Sequence, residues 1–180
     1  QFPRSPRVTD ADFLMGEAYM QHALSILMAE ASAKKTSSAR LLAPKNPVAV
    51  NALLDARKAY QSVLGDKKSG LAPSAQYRLG EVAYNEKEWD KAVEEFKEVD
   101  RRYPKAYLNP EALMGIIYAD LALEQFSQAE ANLFLLGETF PTFLNEPVVL
   151  YAQGIVALHK GDYTSAERAL KQVKTAEAQY

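Results

Sequence analysis

The sequence predicts an all-α fold, a right-handed α-solenoid of about four stacked antiparallel helical hairpins. Trp89, Ala92, Phe96 and Val99 step by three, four and three residues, as the apolar face of a helix does. The stripe recurs after one and two intervals of 37 residues, at Phe126, Ala129, Leu133 and Leu136, and then at Tyr163, Ala166, Leu170 and Val173. Because one hairpin cannot bury its apolar face alone, copies at a fixed period are expected to stack.

Prolines at the same interval divide each copy into two helices. Proline suits the first turn of a helix, where its missing N–H would have no partner, so Pro73, Pro110 and Pro147 mark three helix starts. The predicted first helices are 73–86, 110–123 and 147–160. The predicted second helices are 89–102, 126–139 and 163–175, and Pro104 and Pro141 prevent the first two from continuing.

Small and large residues are expected to meet where the two helices of a hairpin cross. Gly80 and Ala92 provide the small contacts, and Trp89 and Phe96 fill the space beside them. Gly154 repeats the glycine position, whereas the middle copy has Ile117 there.

The first 72 residues predict a longer hairpin of the same kind. Residues 1–8 are predicted to be a flexible lead-in, and Thr9 or Asp10 is predicted to cap a first helix containing Met15-Gly16 and Tyr19-Met20. Leu53, Ala56, Tyr60 and Val63 copy the stripe of the second helices. The predicted units are 9–72, with an inserted loop "TSSARLLAPKNP", then 73–109, 110–146 and 147–180. Ala178-Gln179-Tyr180 repeats Ala75-Gln76-Tyr77, either because another repeat begins there or by coincidence.

Composition argues against several classes of function. The 21 basic and 23 acidic residues give a net charge of −2, so a nucleic-acid partner is not expected. There is no cysteine, no glycine-rich phosphate loop and no apolar run long enough to span a membrane. The acidic run from Glu86 to Asp100 is interleaved with lysines, which is typical of a solvated helix face rather than a metal site. His22 and His159 have no evident acid, base or metal partner, so we expect no enzymatic activity, no cofactor and no metal.

The repeated residues resemble the tetratricopeptide repeat (TPR) family. Leu79-Gly80, Trp89, Ala92, Phe96, Val99 and Pro104 stand at that family's intervals, and the resemblance covers residues 73–175. The linker style is similar to TPR proteins of the bacterial cell envelope, of the outer-membrane assembly lipoprotein or Tol-Pal-associated type. The resemblance implies a non-catalytic protein-interaction module, in the periplasm or at the outer membrane, with the cytoplasm as the alternative.

The resemblance also implies a binding surface on the concave side, lined by the first helix of each unit. Its inward positions here are Phe13, Glu17, Met20, Gln21, Tyr77, Glu81, Tyr84, Asn85, Met114, Tyr118, Leu121, Tyr151, Ile155, Leu158 and His159. For Leu121, Ile155 and Leu158 a core position between hairpins is the alternative. The tyrosines favour partner binding, since tyrosine joins an apolar ring to a polar tip. Tyr77 and Glu81 stand where chaperone-binding members carry a basic clamp, so an apolar or aromatic ligand, helical or extended, is expected.

Three functional classes follow from this surface. The chain is expected to be an adaptor that binds a protein, a peptide or a partner helix. The alternatives are a scaffold that self-associates, end to end or through its convex face, and an accessory domain of an enzyme encoded outside these residues.

Overall fold

A computed structural model describes residues 6–34 and 43–177, and it confirms the all-α class. The described residues form eight α-helices and one short 3₁₀ helix. The helices are α1 (Pro6–Lys34), α2 (Pro47–Leu64), α3 (Ala72–Glu86), α4 (Trp89–Arg102), α5 (Asn109–Ala122), α6 (Phe126–Thr139), α7 (Pro147–His159) and α8 (Tyr163–Glu177), with the 3₁₀ helix at Pro141–Asn145 between α6 and α7.

Consecutive helices pair as hairpins, and the chain divides into two compact units. The first unit, residues 1–108, holds α1 to α4, and the second, residues 109–180, holds α5 to α8. The predicted stripes of α2 and α6 contribute to the two cores, whereas Tyr163, the first residue of the predicted α8 stripe, is 72% exposed. In the first unit Leu53, Ala56, Tyr60 and Val63 are buried together with Met20, Leu79 and Val82. In the second unit Leu133 and Leu136 are buried with Met114, Ile117, Val149, Ala152 and Val156.

The predicted helix boundaries are confirmed to within two residues for the three regular copies, but the start of α1 is not. That helix begins at Pro6, so residues 6–8, which were predicted to be part of the lead-in, are helical. Proline fits the first turn of a helix and favours this earlier start. The Thr9 hydroxyl donates to Asp66 Oδ2 at 3.0 Å instead of capping α1. Residues 36–42 of the predicted inserted loop, Lys35 before it, and the repeated tripeptide at residues 178–180 lie outside the described residues.

The predicted contact between a small residue and a large one is confirmed at the hairpin crossings. A Cβ atom placed on Gly80 would lie 2.5 Å from the Phe96 ring. The same holds for Gly16 against Tyr60, at 2.5 Å, and for Gly154 against Leu170, at 2.8 Å. In the hairpin of α5 and α6, Ile117 replaces the glycine and is fully buried in the core. Thus three of the four hairpins use a missing side chain to bring the helix axes close together.

The turn inside each regular hairpin has one conformation that recurs every 37 residues. Lys87, Glu124 and Gly161 all have positive φ, at 66°, 59° and 75°. Each donates its N–H to the carbonyl three residues back, and the next residue donates to the carbonyl five residues before itself. This pair of hydrogen bonds is the Schellman motif that closes the end of a helix.

Ion pairs join neighbouring hairpins at equivalent positions with opposite polarity. In the first unit Arg57 of α2 pairs with Glu86 at the end of α3. In the second unit Glu130 of α6 pairs with Lys160 just after α7, at 2.6 Å. In the repeat register Arg57 corresponds to Glu130, and Glu86 corresponds to Lys160. The position is therefore kept while the charges are exchanged.

Candidate functional site

The predicted binding positions Phe13, Glu17 and Met20 on α1 contact α2 or α3, whereas Gln21 is exposed. Met20 is only 3% exposed and lies in the core of the first unit. Phe13 packs edge-on against the Tyr60 ring, with the ring centroids 5.7 Å apart. The prediction that Met20 lines an open surface is wrong, because Met20 is buried in a cluster with residues of α2 and α3.

Glu17 and Glu81 are held in an ion network around one arginine. Arg78 Nε lies 2.8 Å from Glu17 Oε1, and a terminal nitrogen of the same guanidinium lies 2.5 Å from Glu81 Oε2. The Tyr60 hydroxyl donates to Glu17 Oε1 at 2.7 Å. Burial raises the pKa of Tyr60, and Glu17 raises it further, so the phenol keeps its proton and remains a donor. Both carboxylates are thus paired within the chain, and neither forms a free acidic clamp.

The remaining predicted positions on α3 form an aromatic and polar surface that is half-buried. The Tyr77 ring packs on Phe96 at 5.5 Å, and the Tyr84 ring packs edge-on against Trp89 at 4.8 Å. Asn85 Nδ2 donates to the Glu81 carbonyl at 2.8 Å. Each of these side chains therefore has a structural contact in the first unit, and partner binding by them stays a prediction.

A lysine completes this aromatic surface. Lys87 Nζ lies 4.9 Å from the centre of the Trp89 ring and 5.5 Å from that of Tyr84, within the range of a cation–π contact. Burial lowers the pKa of Lys87. The sequence did not point to this lysine, because an isolated lysine in a turn gives no signal of its own.

In α5 the predicted positions pack toward α7. Met114 is 4% exposed and lies in one core cluster with residues of α7, so its predicted role on an open surface is wrong. Leu121 packs against the same cluster. The Tyr118 hydroxyl donates to the Val148 carbonyl at 2.9 Å, at the start of α7.

On α7 the predicted positions Tyr151 and Leu158 are open to solvent. Val148, Tyr151 and Leu158 are 45%, 46% and 49% exposed, and half-buried Ile155 lies between them. These four residues step by three, four and three along one face of the helix, and we call them the α7 stripe. About half of the Leu158 surface is exposed among the described residues, and both its predicted role in partner binding and the alternative core position stay predictions.

His159 at the end of α7 has a structural role. Its imidazole stacks on the Phe126 ring with the centroids 3.6 Å apart and the planes 12° from parallel. The side chain is otherwise exposed. It therefore joins α6 to α7 while one edge stays accessible beside the α7 stripe.

Another exposed apolar feature of the second unit was missed from the sequence. Phe134 and Leu135 on α6 are 72% and 50% exposed. Phe134 lines a shallow groove of about 320 Å³ together with residues of α7, and the paired side chains of Glu130 and Lys160 also line it. The signal was available, because the run "LFLL" at 133–136 places two apolar residues outside the buried stripe.

The described residues carry no group of three or more histidine, aspartate or glutamate side chains arranged to hold a metal ion. Within residues 6–34 and 43–177, every helix falls short of the length and apolarity that a membrane crossing requires.

Comparison with known proteins places the fold and the family. No curated protein matches the chain. A crystal structure of nearly identical TPR-like repeats, assigned to a kinesin light chain of Podosopora anserina, matches with a TM-score of 0.52 and 15% identity over 98% of each chain. At this identity the likeness concerns the fold alone, and it confirms the TPR-like architecture.

The family follows from a second match. The family model YfiO, described as outer membrane lipoprotein, matches residues 70–180, which is more than half of the chain. A TPR-like fold and this family both suggest a role in protein–protein interaction, and such families are typically non-catalytic. The predicted resemblance is confirmed, and the chain belongs to the YfiO family of outer membrane lipoproteins.

Proposed function

We propose that the chain is a non-catalytic adaptor that binds a partner helix or peptide through the α7 stripe. The observation that carries this proposal is that three exposed apolar residues and half-buried Ile155 share one face of a single helix. Isolated exposed apolar residues are common on any protein surface, but a continuous row of them marks an interaction site.

The composition of α7 supports this role. No charged residue occurs between Pro147 and Leu158, and Gln153 is the one strongly polar side chain in that interval. A helix that is apolar on every side is normally buried on every side. Here Val149, Ala152 and Val156 are buried against α5 and α6, while the opposite face is open. Covering that face would remove apolar surface from water and so stabilise a complex.

Tyr151 at the centre of the stripe is suited to be the principal contact. Aromatic side chains with a polar tip dominate the energetics of many interfaces, and Tyr151 is flanked by Val148 and Ile155 on neighbouring turns. The absence of charge favours an apolar ligand over a carboxylate-bearing peptide end.

The test is site-specific photo-crosslinking in the native host. A photoreactive phenylalanine analogue at position 151 should give one dominant adduct that contains a second polypeptide. The matched control is the same analogue at Tyr107, which is 76% exposed and lies in the other unit. The adduct should disappear when Leu158→Glu is combined with the analogue at 151.

Equal crosslinking at positions 151 and 107 would contradict the proposal, because it would show that exposure alone determines the reaction. An adduct at 151 that persists with Leu158→Glu would also contradict it, since the rest of the stripe would then contribute nothing.

A further inference from the structure

We infer that the shallow groove between α6 and α7 is a second binding site, and that it takes an arginine side chain carried by a partner protein. The groove has a volume of about 320 Å³, and we call it the α6–α7 groove. Its α7 residues are not those of the α7 stripe, so the inference goes beyond the proposed adaptor function. The groove lies between two hairpins that are both present, and so it is not one of the outer stacking faces.

The corresponding place in the first unit, between α2 and α3, is closed. Gln153 and Ala157 of α7 line the α6–α7 groove and are half-buried. In the repeat register they correspond to Leu79 and Ala83 of α3. Leu79 is 2% exposed and Ala83 is fully buried. The second unit therefore leaves open a place that the first unit fills.

An arginine of the chain itself stands at the closed place. Arg57 of α2 pairs with Glu86 and also lies 3.3 Å from a carboxylate oxygen of Glu88, and its side chain is only 10% exposed. In the register Glu86 and Glu88 correspond to Lys160 and Asp162, and both of these residues line the α6–α7 groove. The first unit thus gives an internal precedent for a largely buried guanidinium group held by carboxylates at this place.

The second unit carries a carboxylate where the first unit has its arginine. Glu130 stands at the position of Arg57 and pairs with Lys160 at 2.6 Å. Asp162 Oδ1 accepts the Ser165 N–H at 3.0 Å. The lining of the α6–α7 groove therefore holds two carboxylates and one ammonium group. A cation from a partner balances the second carboxylate, whereas an anion would meet net negative charge.

Phe134 gives this site its preference for arginine. It is 72% exposed, whereas the same position in the other second helices holds a polar residue, which is Gln61, Lys97 or Lys171. A guanidinium group stacks on an aromatic ring more readily than an ammonium group does, and the arginine stem covers apolar surface. Phe134 and the apolar lining beside it, which includes Val156 and Ala157, supply both contacts.

The experiment is an NMR titration of the ¹⁵N-labelled chain with the blocked tripeptide acetyl-Leu-Arg-Leu-amide. The amide signals of Ala157, Lys160 and Asp162 should shift and saturate with a Kd of about 1–10 mM, a range suited to so small a probe. The matched probe carries citrulline in place of arginine, which keeps the shape of the side chain and removes its charge. It should bind roughly tenfold more weakly, because the hydrogen bonds to the carboxylates lose their charge assistance.

The variants locate the site. Phe134→Lys introduces the residue found at positions 97 and 171, so the helix tolerates it, and it should weaken binding about tenfold. Leu135→Lys is the matched control, because it adds the same charge at a neighbouring residue that is 50% exposed and does not line the groove. It should bind as wild type does.

A double variant copies the closed place of the first unit. Glu130→Arg combined with Lys160→Glu sets an arginine of the chain beside two carboxylates, as at Arg57. This internal arginine should exclude the tripeptide. The amide spectrum of each variant without the tripeptide reports whether its fold is retained.

Several outcomes would overturn the inference. Wild type that shows no saturable shift at the groove amides is one, and equal affinity for the citrulline probe is another, since the groove would then select apolar side chains. Tighter binding of acetyl-Leu-Glu-Leu-amide would assign the groove to an acidic partner recruited by Lys160. Shifts of the same amides with protein concentration alone would assign it to a second copy of the chain. Equal weakening by Phe134→Lys and Leu135→Lys would place the probe elsewhere. Crosslinking at Tyr151 tests a different surface, so the two proposals fail separately.

Discussion

The ring of Phe96 fills the space in which a side chain on residue 80 would begin. A Cβ atom at Gly80 would lie 2.5 Å from Phe96 Cδ1, closer than real atoms approach, and Phe96 is itself 2% exposed and cannot move aside. The glycine is therefore required by packing, although glycine within a helix is otherwise unfavourable.

Gly80→Ala should lower the free energy of unfolding by about 1–3 kcal/mol, because the added methyl group overpacks a full core. Urea unfolding followed by circular dichroism measures the change. The matched control is Gly137→Ala, whose Cβ would meet Leu144 at an ordinary 3.4 Å. Gly137→Ala should be neutral or stabilising, and Gly80→Ala combined with Phe96→Leu should recover part of the loss. Equal effects at 80 and 137 would show that the Phe96 contact is not limiting.

Glu124→Gly should stabilise the second unit by roughly 1 kcal/mol, since Glu124 holds a left-handed conformation at φ 59° that glycine adopts freely. Thermal unfolding measures the gain. The reverse change, Gly161→Ala at φ 75°, should destabilise by a similar amount. If Glu124→Ala stabilised the unit as much as Glu124→Gly, the gain would not come from relief of the left-handed backbone conformation.

Arg57→Glu should destabilise the first unit by about 2–4 kcal/mol, because it places a third carboxylate beside Glu86 and Glu88 in a largely buried position. The Arg57 side chain is 10% exposed and that of Glu86 is 21% exposed. Adding Glu86→Arg should restore at least half of the loss, and a double-mutant cycle in urea measures the coupling.

The exposed counterpart serves as the control for this pair. The side chains of Lys160 and Glu130 are 53% and 51% exposed, so Glu130→Lys should cost less than about 1 kcal/mol. A double-mutant cycle for Arg57 and Glu86 that gave no coupling would contradict the role assigned to their pairing.

Asp162→Asn should remove a pH-dependent contribution to the stability of the second unit. The Ser165 N–H donates to Asp162 Oδ1 at 3.0 Å and lowers the pKa of this carboxyl from its ordinary 3.8. A lowered pKa in the folded state means that the stabilisation is present above the ordinary pKa and is lost as pH falls through the folded value. The Tm of wild type minus that of Asp162→Asn should therefore stay constant above about pH 5 and decrease toward about pH 2.5. A Tm difference that is constant over the whole pH range would show that the hydrogen bond from Ser165 to Asp162 stabilises the fold equally with and without the carboxylate charge.

Much of the fold could be predicted because the repeat appears at several positions simultaneously. Gly80, Trp89 and Pro104 each have counterparts at multiples of 37 residues. An apolar helix stripe that recurs in this way is buried by packing one hairpin on the next. The start of α1 was missed because Pro6 is compatible both with a lead-in and with a first turn. The turns at Lys87 and Glu124 were located correctly, but nothing in a lysine or a glutamate indicates positive φ.

The candidate site was predicted less well, for a geometric reason. Met114 occupies the same register position as Tyr151, Met20 occupies the same position as Leu158, and the sequence of one helix does not tell whether another helix covers these positions. Burial of Met114 depends on α7, whereas Tyr151 has no such cover among the described residues. The repeat register therefore predicts which face of each helix a residue lies on, and the neighbouring helices determine whether that face is exposed.

The exchanged polarity of the two ion pairs bears on how the chain folds as it is made. Similar hairpins in one polypeptide can dock on the wrong neighbour, and such misassembly is a known failure of repeat proteins. A mistaken exchange here would bring Arg57 against Lys160, or Glu130 against Glu86, and like charges repel at that distance. The charges at these four positions therefore favour the docking seen within each unit over the mistaken exchange, most strongly at the largely buried Arg57.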